Sequence, residues 1–306
     1  MGIVSTPTES RVKPPSELTL LHINGTIKHI GQIKQIYIIN LPNRPDRRTS
    51  TIALMKTLHF DAFIVPAHTI HSPEVASRNY LVRNGHITLV ELACWASHMQ
   101  IWSAIADSKS NDTWSLVFED DIDLETFTSE VLESFPHDLW NKPDLIYLGS
   151  CGNIPGSMIY EGAYGYRIHQ ALNPSCTHAY AIRSRTAAKL LRLLSSPRRA
   201  VDDEIVLLSN SQKLLVFSIH PPLALQRSIS PSNPSDINPV KPTLLFEVRV
   251  WIGFILQWWR DVEVVDKLKD SALARADFDK AAEWRKKNEH GIWQNENRNN
   301  SVCIRC

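Results

Sequence analysis

Residues 113–123 constrain the fold of this 306-residue chain most strongly, because an apolar run ends there in a group of acids. The β-branched and aromatic residues from Trp114 to Phe118 predict a short buried strand. Three acids, Glu119 to Asp121, follow at once, and Asp123 stands two residues further on. Open α/β sheets bind ligands beyond the carboxyl ends of their strands, so we expect these carboxylates to lie at a binding site.

Two interpretations of the acidic group fit its position. Crowded carboxylates repel one another, and their burial is costly unless a positive charge lies among them. A hard divalent cation with oxygen ligands, often shared with a phosphate group, would supply that charge. Alternatively, the acids form a turn whose side chains face water. An EF-hand that starts at Asp121 is excluded, because Thr126 stands where the turn glycine belongs.

The bulk properties narrow the class of protein. The formal net charge of +1 gives no reason to expect nucleic acid as a partner. The five cysteines are too few and too scattered for a disulfide framework. We find neither an apolar core of signal-peptide length near the N-terminus nor a stretch of about 20 apolar residues, so we expect no membrane span and, by default, a cytoplasmic location.

Periodicity and turn residues predict alternating strands and helices. We expect an N-terminal arm over residues 1–30, an α/β domain over 31–240, and a helical C-terminal extension over 241–306 whose end is disordered. Loops are predicted at 68–87 and 149–165. The predicted strands cover 36–39, 61–65, 114–118, 144–148, 175–182 and 214–219, and the predicted helices cover 45–58, 88–107, 127–135 and 184–194, with another starting at 201.

Several polar residues outside the acidic strand end have two interpretations. The turn after the first strand presents Arg44, Arg47 and Arg48, whose guanidinium groups suit a diphosphate. For Arg47 and Arg48 taken singly, an ordinary solvated helix start is the preferred interpretation. A single histidine on a mostly buried helix, such as His98, is more often a core residue than a ligand.

Short motifs in a fixed order resemble glycosyltransferase family 25, over roughly residues 35–240. Each motif is weak alone, and Val90 stands where the family usually has glycine. The ordered set is Ile39-Asn-Leu with Arg44 and Asp46-Arg-Arg48, Glu91-Leu-Ala-Cys94 with Ser97-His98, Leu116-Val-Phe-Glu-Asp-Asp121, Thr177-His-Ala-Tyr-Ala-Ile182, Val201-Asp202-Asp203, and His220-Pro-Pro-Leu223 with Gln226.

The resemblance implies an α/β fold of GT-A type, a Rossmann-like mixed sheet flanked by helices. It also implies a UDP-sugar donor, a Mn²⁺-type divalent cofactor and an inverting mechanism. Inversion requires a base, for which Asp202 and Asp203 are the first candidates and Glu204 the third. By this resemblance Asp121 would ligate the metal, with Asp123 as a second ligand if Asp121-Ile-Asp123 is the metal-binding motif. His220 is either a further metal ligand or the partner in a structural hydrogen bond. The donor would contact Asn40, Arg44, Arg48, Ser97, His98, Glu119 and Asp120.

The function predicted from these residues is transfer of a sugar, first of all galactose, to a hydroxyl of a glycan, a lipid-linked acceptor or a protein. The family resemblance also leaves endomembrane association open. The sequence also allows two alternatives to sugar transfer. One is another metal-dependent phosphoryl-transfer or hydrolytic enzyme, whose second metal the acids at 202–204 would have to hold. The other is a glycan-binding relative without catalysis.

Overall fold

The computed structural model describes residues 20–83, 87–107, 112–151, 154–227 and 268–276. A large mixed sheet flanked by helices organises these residues, which confirms the predicted α/β class. Its strands and those of a small ribbon are β1 (Leu21–Ile23), β2 (Ile33–Asn40), β3 (Ala62–Pro66), β4 (Trp114–Glu119), β5 (Ile122–Leu124), β6 (Leu145–Cys151), β7 (Ile154–Glu161), β8 (Arg167–Leu172), β9 (Ser175–Arg183), β10 (Val216–His220) and β11 (Ala224–Gln226).

The helices lie between these strands along the chain. They are α1 (Pro45–Thr57), α2 (Pro73–Ala76), α3 (Asn79–Arg83), α4 (Leu89–Ala106), α5 (Thr128–Glu133), α6 (His137–Trp140), α7 (Ser184–Leu193) and α8 (Val201–Asn210), and a further helical turn covers residues 272–276. None of them is both long enough and apolar enough to cross a bilayer.

The strand order in the sheet is β1-β3-β2-β4-β9-β6-β10-β8-β7. β2 runs parallel to β3 on one side and to β4 on the other, whereas β9 runs antiparallel to β4. The carboxyl ends of β2, β3 and β4 therefore meet the start of β9 at one edge of the sheet. β5 and β11 form a separate antiparallel pair just beyond that edge.

The sheet is covered on both faces, so β4 is apolar on both sides. Leu116 and Phe118 belong to one hydrophobic cluster, which includes Leu54 and Met55 of α1. Val117 belongs to the other cluster, together with much of α4. A strand enclosed in this way reads as a continuous apolar run rather than as an alternating pattern.

The sequence signals at helix starts operate as expected. Pro45 occupies the first turn of α1, where its missing N–H is not needed. The Thr88 side chain caps α4 by accepting from the Glu91 N–H, and the Glu91 carboxylate accepts from the Thr88 N–H. This reciprocal pair fixes where α4 begins and hence which residues it turns toward the sheet.

Most of the predicted elements are confirmed to within a few residues, but the loop predictions are wrong. The segment 149–165, predicted to be irregular, contains β7, which pairs with the unpredicted β8. Residues 68–87 include the short helices α2 and α3. The glycines and prolines of residues 149–165 favour a loop prediction, but β7 lies at the edge of the sheet, where strands tolerate both residues better than central strands do.

One disulfide joins Cys151 at the end of β6 to Cys176 in β9, with their Cα atoms 5.5 Å apart. The expectation that the cysteines are too scattered for a framework misses this bridge, because pairing between β6 and β9 brings together residues 25 positions apart. Cys303 and Cys306 lie outside the described residues.

A C-terminal segment, residues 268–276, docks against the turn that follows β5. The buried Glu125 carboxylate accepts from the backbone N–H groups of Lys269 and Asp270. Ala272 and Ala276 are buried. The predicted apolar stripe from Leu244 to Trp258, the N-terminal arm up to residue 19 and the predicted disordered end lie outside the described residues.

Candidate active site

A cavity of about 540 Å³ opens at the carboxyl ends of β2 and β4. Its walls come from these strand ends, the first turn of α1, residues 67–71, one face of α4, and Gln226 of β11. Glu119, Asp120 and Asp121 all line it, as the sequence predicts for carboxylates at a strand end. The apolar run of β4 therefore places its acids at the wall of a cavity rather than on the outer surface.

Asp120 holds the first βα turn in place. Its Oδ2 accepts from the Asn40 side-chain amide at 2.7 Å and from the Leu41 N–H at 3.2 Å. Its Oδ1 accepts from the Arg47 guanidinium at 3.1 Å. Burial raises the pKa of Asp120, although Arg47 and Asn40 oppose that rise. Both oxygens are committed to protein groups, so Asp120 acts chiefly on the geometry of the turn.

Asp121 shares the same guanidinium. Its Oδ2 accepts from Arg47 at 3.0 Å and from the Gln226 amide at 3.2 Å. Burial and the neighbouring Glu119 charge raise the pKa of Asp121 to about 6, against the opposing effect of Arg47. Its Oδ1 is buried and has no hydrogen-bond partner among the described residues.

Arg47 and Gln226 are therefore site residues that sequence reasoning did not select. The sequence favours a solvated Arg47, but the turn of α1 that carries it faces the acids, and the side chain is buried. Gln226 was noted only as part of a motif. Pairing of β11 with β5 brings it to Asp121. The neighbouring Arg227 donates to the Asp120 carbonyl at 2.8 Å, which is a further contact between the chain after β11 and the end of β4.

Glu119 faces the other side of the cavity, toward α4 and β9. Its Oε1 accepts from the Thr177 hydroxyl at 3.1 Å and lies 3.4 Å from Nε2 of His98. Burial by itself would raise the pKa of Glu119, but the neighbouring His98 and His178 rings and the Thr177 hydroxyl outweigh it, so the pKa is lowered. Glu119 is thus the acid of the group most firmly held as a carboxylate.

Ser97 and His98 of α4 both line the cavity. The Ser97 hydroxyl accepts from the His68 N–H at 2.8 Å, which fixes the segment opposite the strand ends. His98 is fully buried, and its Nδ1 lies 2.9 Å from the Tyr180 hydroxyl. Its other ring nitrogen faces Glu119, so this residue belongs to the site and not only to the core.

Asn40, whose amide donates to Asp120, does not line the cavity, and neither do four other predicted residues. The Arg44 guanidinium pairs with Asp46 two residues away, with Nη2 2.9 Å from Oδ2. Arg48, the residue after Arg47 in α1, is half-buried. The Asp123 carboxylate accepts from the Ser271 hydroxyl and from the Leu273 N–H at 3.1 Å, so it holds the C-terminal segment. His220 is exposed at the end of β10.

Asp202 and Asp203 start α8, next to the beginning of β9. Oδ2 of Asp202 accepts from the Cys176 N–H at 3.1 Å. Neither aspartate lines the cavity. The charges of Asp202 and Glu119 both add to burial in raising the pKa of Tyr147, so the buried Tyr147 hydroxyl lies within electrostatic reach of both carboxylates. The pKa of Asp203 is raised, chiefly by desolvation and to a smaller extent by the charge of Asp202.

The donor set suits a divalent cation in one respect and opposes it in another. The unpartnered Oδ1 of Asp121 beside the Glu119 carboxylate offers hard oxygen atoms at the cavity wall. Arg47 already neutralises part of this charge from the side of α1. Asp121 and Glu119 are therefore the acids that could hold an ion at this cavity.

Comparison with known proteins bears on this site directly. Residues 33–155 match the family described as glycosyltransferase family 25 (LPS biosynthesis protein). The resemblance to family 25 is confirmed. The matched stretch runs from β2 to the start of β7 and contains every residue that lines the cavity except Gln226.

Individual relatives from family 25 are similar over about half of the chain or more. Procollagen galactosyltransferase 1-A of Xenopus laevis is 30% identical over 164 residues, which are 48% of this chain and 26% of that protein. Procollagen galactosyltransferase 1 of Danio rerio is 25% identical over 220 residues, 64% of this chain and 35% of that protein. Inactive glycosyltransferase 25 family member 3 of Homo sapiens is 26% identical over 209 residues, 60% of this chain and 33% of that protein.

The chain thus spans between 26% and 35% of the length of these relatives. Glycosyltransferase is the enzyme class that the family match supports.

Proposed function

We propose that this chain is an inverting glycosyltransferase of GT-A type that moves a hexose, galactose first of all, from a UDP-sugar to a hydroxyl acceptor. One observation carries the proposal. The family match and the cavity coincide, so the segment that resembles family 25 also encloses three acids and a buried arginine. The proposed acceptor is a hydroxyl of a glycan, a lipid-linked acceptor or a protein, as the sequence predicts.

Asp121 is the proposed metal ligand, through its unpartnered Oδ1. A bound Mn²⁺ would supply positive charge to the donor diphosphate. Glu119 is the proposed partner of the ribose or of a bridging water, because its carboxylate faces the cavity while both oxygens of Asp120 are taken by the βα turn. Asp123 and His220 fall outside the proposed metal set.

Arg47 replaces Arg44 and Arg48 as the proposed diphosphate contact. It is the arginine that lines the cavity, and its guanidinium already meets two acids there. Its position beside the first turn of α1 adds the partial positive charge of a helix N-terminus. A guanidinium suits two phosphate oxygens at once, which a point charge does not.

Asp202 is the proposed general base, with Asp203 second and Glu204 third. In the proposed step the base carboxylate takes the proton of the acceptor hydroxyl. The acceptor oxygen then bonds to the anomeric carbon as the bond from that carbon to the diphosphate breaks. The Cys176 N–H holds one oxygen of Asp202, which fixes the carboxylate relative to the start of β9.

We also propose that residues 31–240 form the catalytic domain and that residues 241–306 are an extension attached to it. Docking of residues 268–276 on Glu125 and Asp123 supports attachment rather than independence.

The decisive experiment combines donor binding with product analysis. Calorimetry of UDP-galactose with and without Mn²⁺ should show tighter binding with the ion, and NMR of the transfer product should show an inverted anomeric configuration. Asp121→Asn should remove the metal dependence while Glu130→Gln, at an exposed position on α5, leaves it unchanged. Binding of equal strength with and without the ion would overturn the metal assignment, and a retained configuration would overturn the mechanism.

A binding protein without catalysis is the second candidate. The observation that favours it is the pair of ion contacts from Arg47, which neutralises the acids without a metal. In that case UDP-sugars bind, but neither sugar transfer nor slow hydrolysis of the donor is detected. The phosphoryl-transfer alternative lacks support, because the acids that line the cavity within the described residues all belong to the one group at the end of β4.

A further inference from the structure

Three side chains on the α4 side of the cavity bring together the ligand atoms that zinc prefers. They are Cys94 and His98 of α4 and Glu119 of β4, and their sulfur, nitrogen and oxygen atoms all lie within 4.8 Å of one another. Cys94 and His98 are four residues apart, so they project from the same face of the helix. All three line the cavity, which gives an ion a route of entry.

The histidine is set up for ligation. His98 is fully buried, and Oε1 of Glu119 lies 3.4 Å from its Nε2. With Nδ1–H donating to the Tyr180 hydroxyl, 2.9 Å away, Nε2 presents its lone pair to the side of Cys94 and Glu119. The Tyr180 hydroxyl is itself held by the Trp102 indole N–H at 2.9 Å. Such an outer partner commonly fixes the ring of a metal-binding histidine.

The distance between the nitrogen and oxygen ligands also fits, and so do the charges. Ligand atoms around a tetrahedral zinc ion lie about 3.3–3.6 Å apart, given Zn–N, Zn–O and Zn–S bonds of about 2.0–2.3 Å. Nε2 of His98 and Oε1 of Glu119 are 3.4 Å apart. A thiolate and a carboxylate together carry two negative charges, which balance a divalent cation, and a neutral imidazole completes the set.

We propose that Cys94, His98 and Glu119 form a site for a thiophilic divalent cation, Zn²⁺ in the first place, with the fourth position open to the cavity. This site shares Glu119 with the proposed donor site but does not include the Asp121 oxygen assigned to the donor's metal, and cation binding at it does not depend on sugar transfer. The other group with suitable atoms, Cys151, Cys176 and His178, carries no such proposal, because its two sulfurs are joined in the disulfide.

Cobalt spectroscopy tests the proposal without an activity assay. The starting protein carries Cys303→Ser and Cys306→Ser, so that the C-terminal thiols cannot bind the ion, and is kept free of reductant so that the disulfide stays closed. Titration with Co²⁺ should produce a thiolate-to-cobalt charge-transfer band, which Zn²⁺ then abolishes. Absence of this band, or its survival in Cys94→Ser, overturns the proposal.

Three further variants sharpen the result. His98→Gln should remove or shift the cobalt band, and Tyr180→Phe should weaken binding about 10–100-fold, as loss of an outer partner does. Asp121→Asn should leave the cobalt band intact, because Asp121 is not among the three proposed ligands. Loss of the band in this variant would show that Asp121 takes part in the same ion site, which would overturn the assignment. If Cys94→Ser fails to fold, alkylation of Cys94 in the starting protein gives the answer: Zn²⁺ should slow it, and an unchanged rate overturns the proposal.

Discussion

Glu125 and Asp270 are 145 residues apart in the chain, yet the Asp270 N–H donates to the Glu125 carboxylate at 2.8 Å. The other carboxylate oxygen accepts from the Lys269 N–H and, at 2.7 Å, from the Tyr166 hydroxyl. The Glu125 side chain has no exposed surface. A buried carboxylate that receives three donors acts as an acceptor for the incoming C-terminal segment.

Replacing Glu125 with glutamine should therefore release that segment. The amide NH₂ would face a backbone N–H, and an unpaired buried donor costs about 1–3 kcal/mol of unfolding free energy. We expect a corresponding loss in urea unfolding and faster proteolysis within residues 268–276. Glu130→Gln, at an exposed position, is the matched control and should change stability by less than about 0.5 kcal/mol. Equal behaviour of the two variants would contradict the docking role.

Replacing Arg47 with glutamine should destabilise the protein severely. The change leaves Asp120 and Asp121 buried without their shared counter-charge, and breaking a buried ion pair costs about 3–5 kcal/mol. Arg48→Gln, on the next residue but half-buried and outside the cavity, should stay within about 0.5 kcal/mol of wild type. Thermal and urea unfolding of both variants measures the difference, and similar losses would show that Arg47 contributes no more than a surface arginine.

Removing the proposed base should depress transfer while donor binding survives. A general base contributes about 10²–10⁴-fold in rate, so Asp202→Asn or Asp203→Asn should lose turnover by that factor. Donor affinity, measured by calorimetry in each variant, is the internal control. If affinity falls in step with turnover, the residue belongs to the nucleotide site, and if neither change slows transfer tenfold, Glu204 is tested next.

The contribution of His178 to stability should be lost as the pH drops below about 6.5, the ordinary pKa of histidine. Burial lowers the pKa of His178 in the folded protein, against the opposing charge of Glu119. The unfolded chain then binds the proton more readily, so the stability present above the ordinary pKa is lost as the pH falls through the lowered one. Urea unfolding between pH 7.5 and 5 should show a flatter pH dependence for His178→Gln, whereas His137→Gln at an exposed position should follow wild type. Parallel curves for all three proteins would refute the assignment.

The sequence predicts the central layer of this fold well because its signals are local. The apolar run of β4, the periodicity of α4 and the Thr88–Glu91 pair each depend on neighbouring residues. β7 and β8 escape prediction because their order comes from pairing with each other at the sheet edge. Local pattern carries no information about such pairing.

The site shows the same division. The acids at 119–121 are predicted correctly as cavity residues, since a strand end is a local feature. The choice of Arg47 over Arg44 and Arg48 depends on the rotation of α1 against the sheet, which packing decides. Gln226 is 105 residues from Asp121 in the chain and contacts it because β11 pairs with β5. The Asp123 carboxylate accepts a hydrogen bond from Leu273, 150 residues further on, and so binds the C-terminal segment and not the cavity.

The bridge between Cys151 and Cys176 connects both sides of the proposed reaction centre. The N–H of Cys176 holds Asp202, and the next residue, Thr177, donates to Glu119. The proposed base and the acidic end of β4 therefore share one covalent anchor within two consecutive residues. Their separation is set by backbone connectivity at the start of β9, so a displacement of that strand would carry the acceptor side and the donor side together.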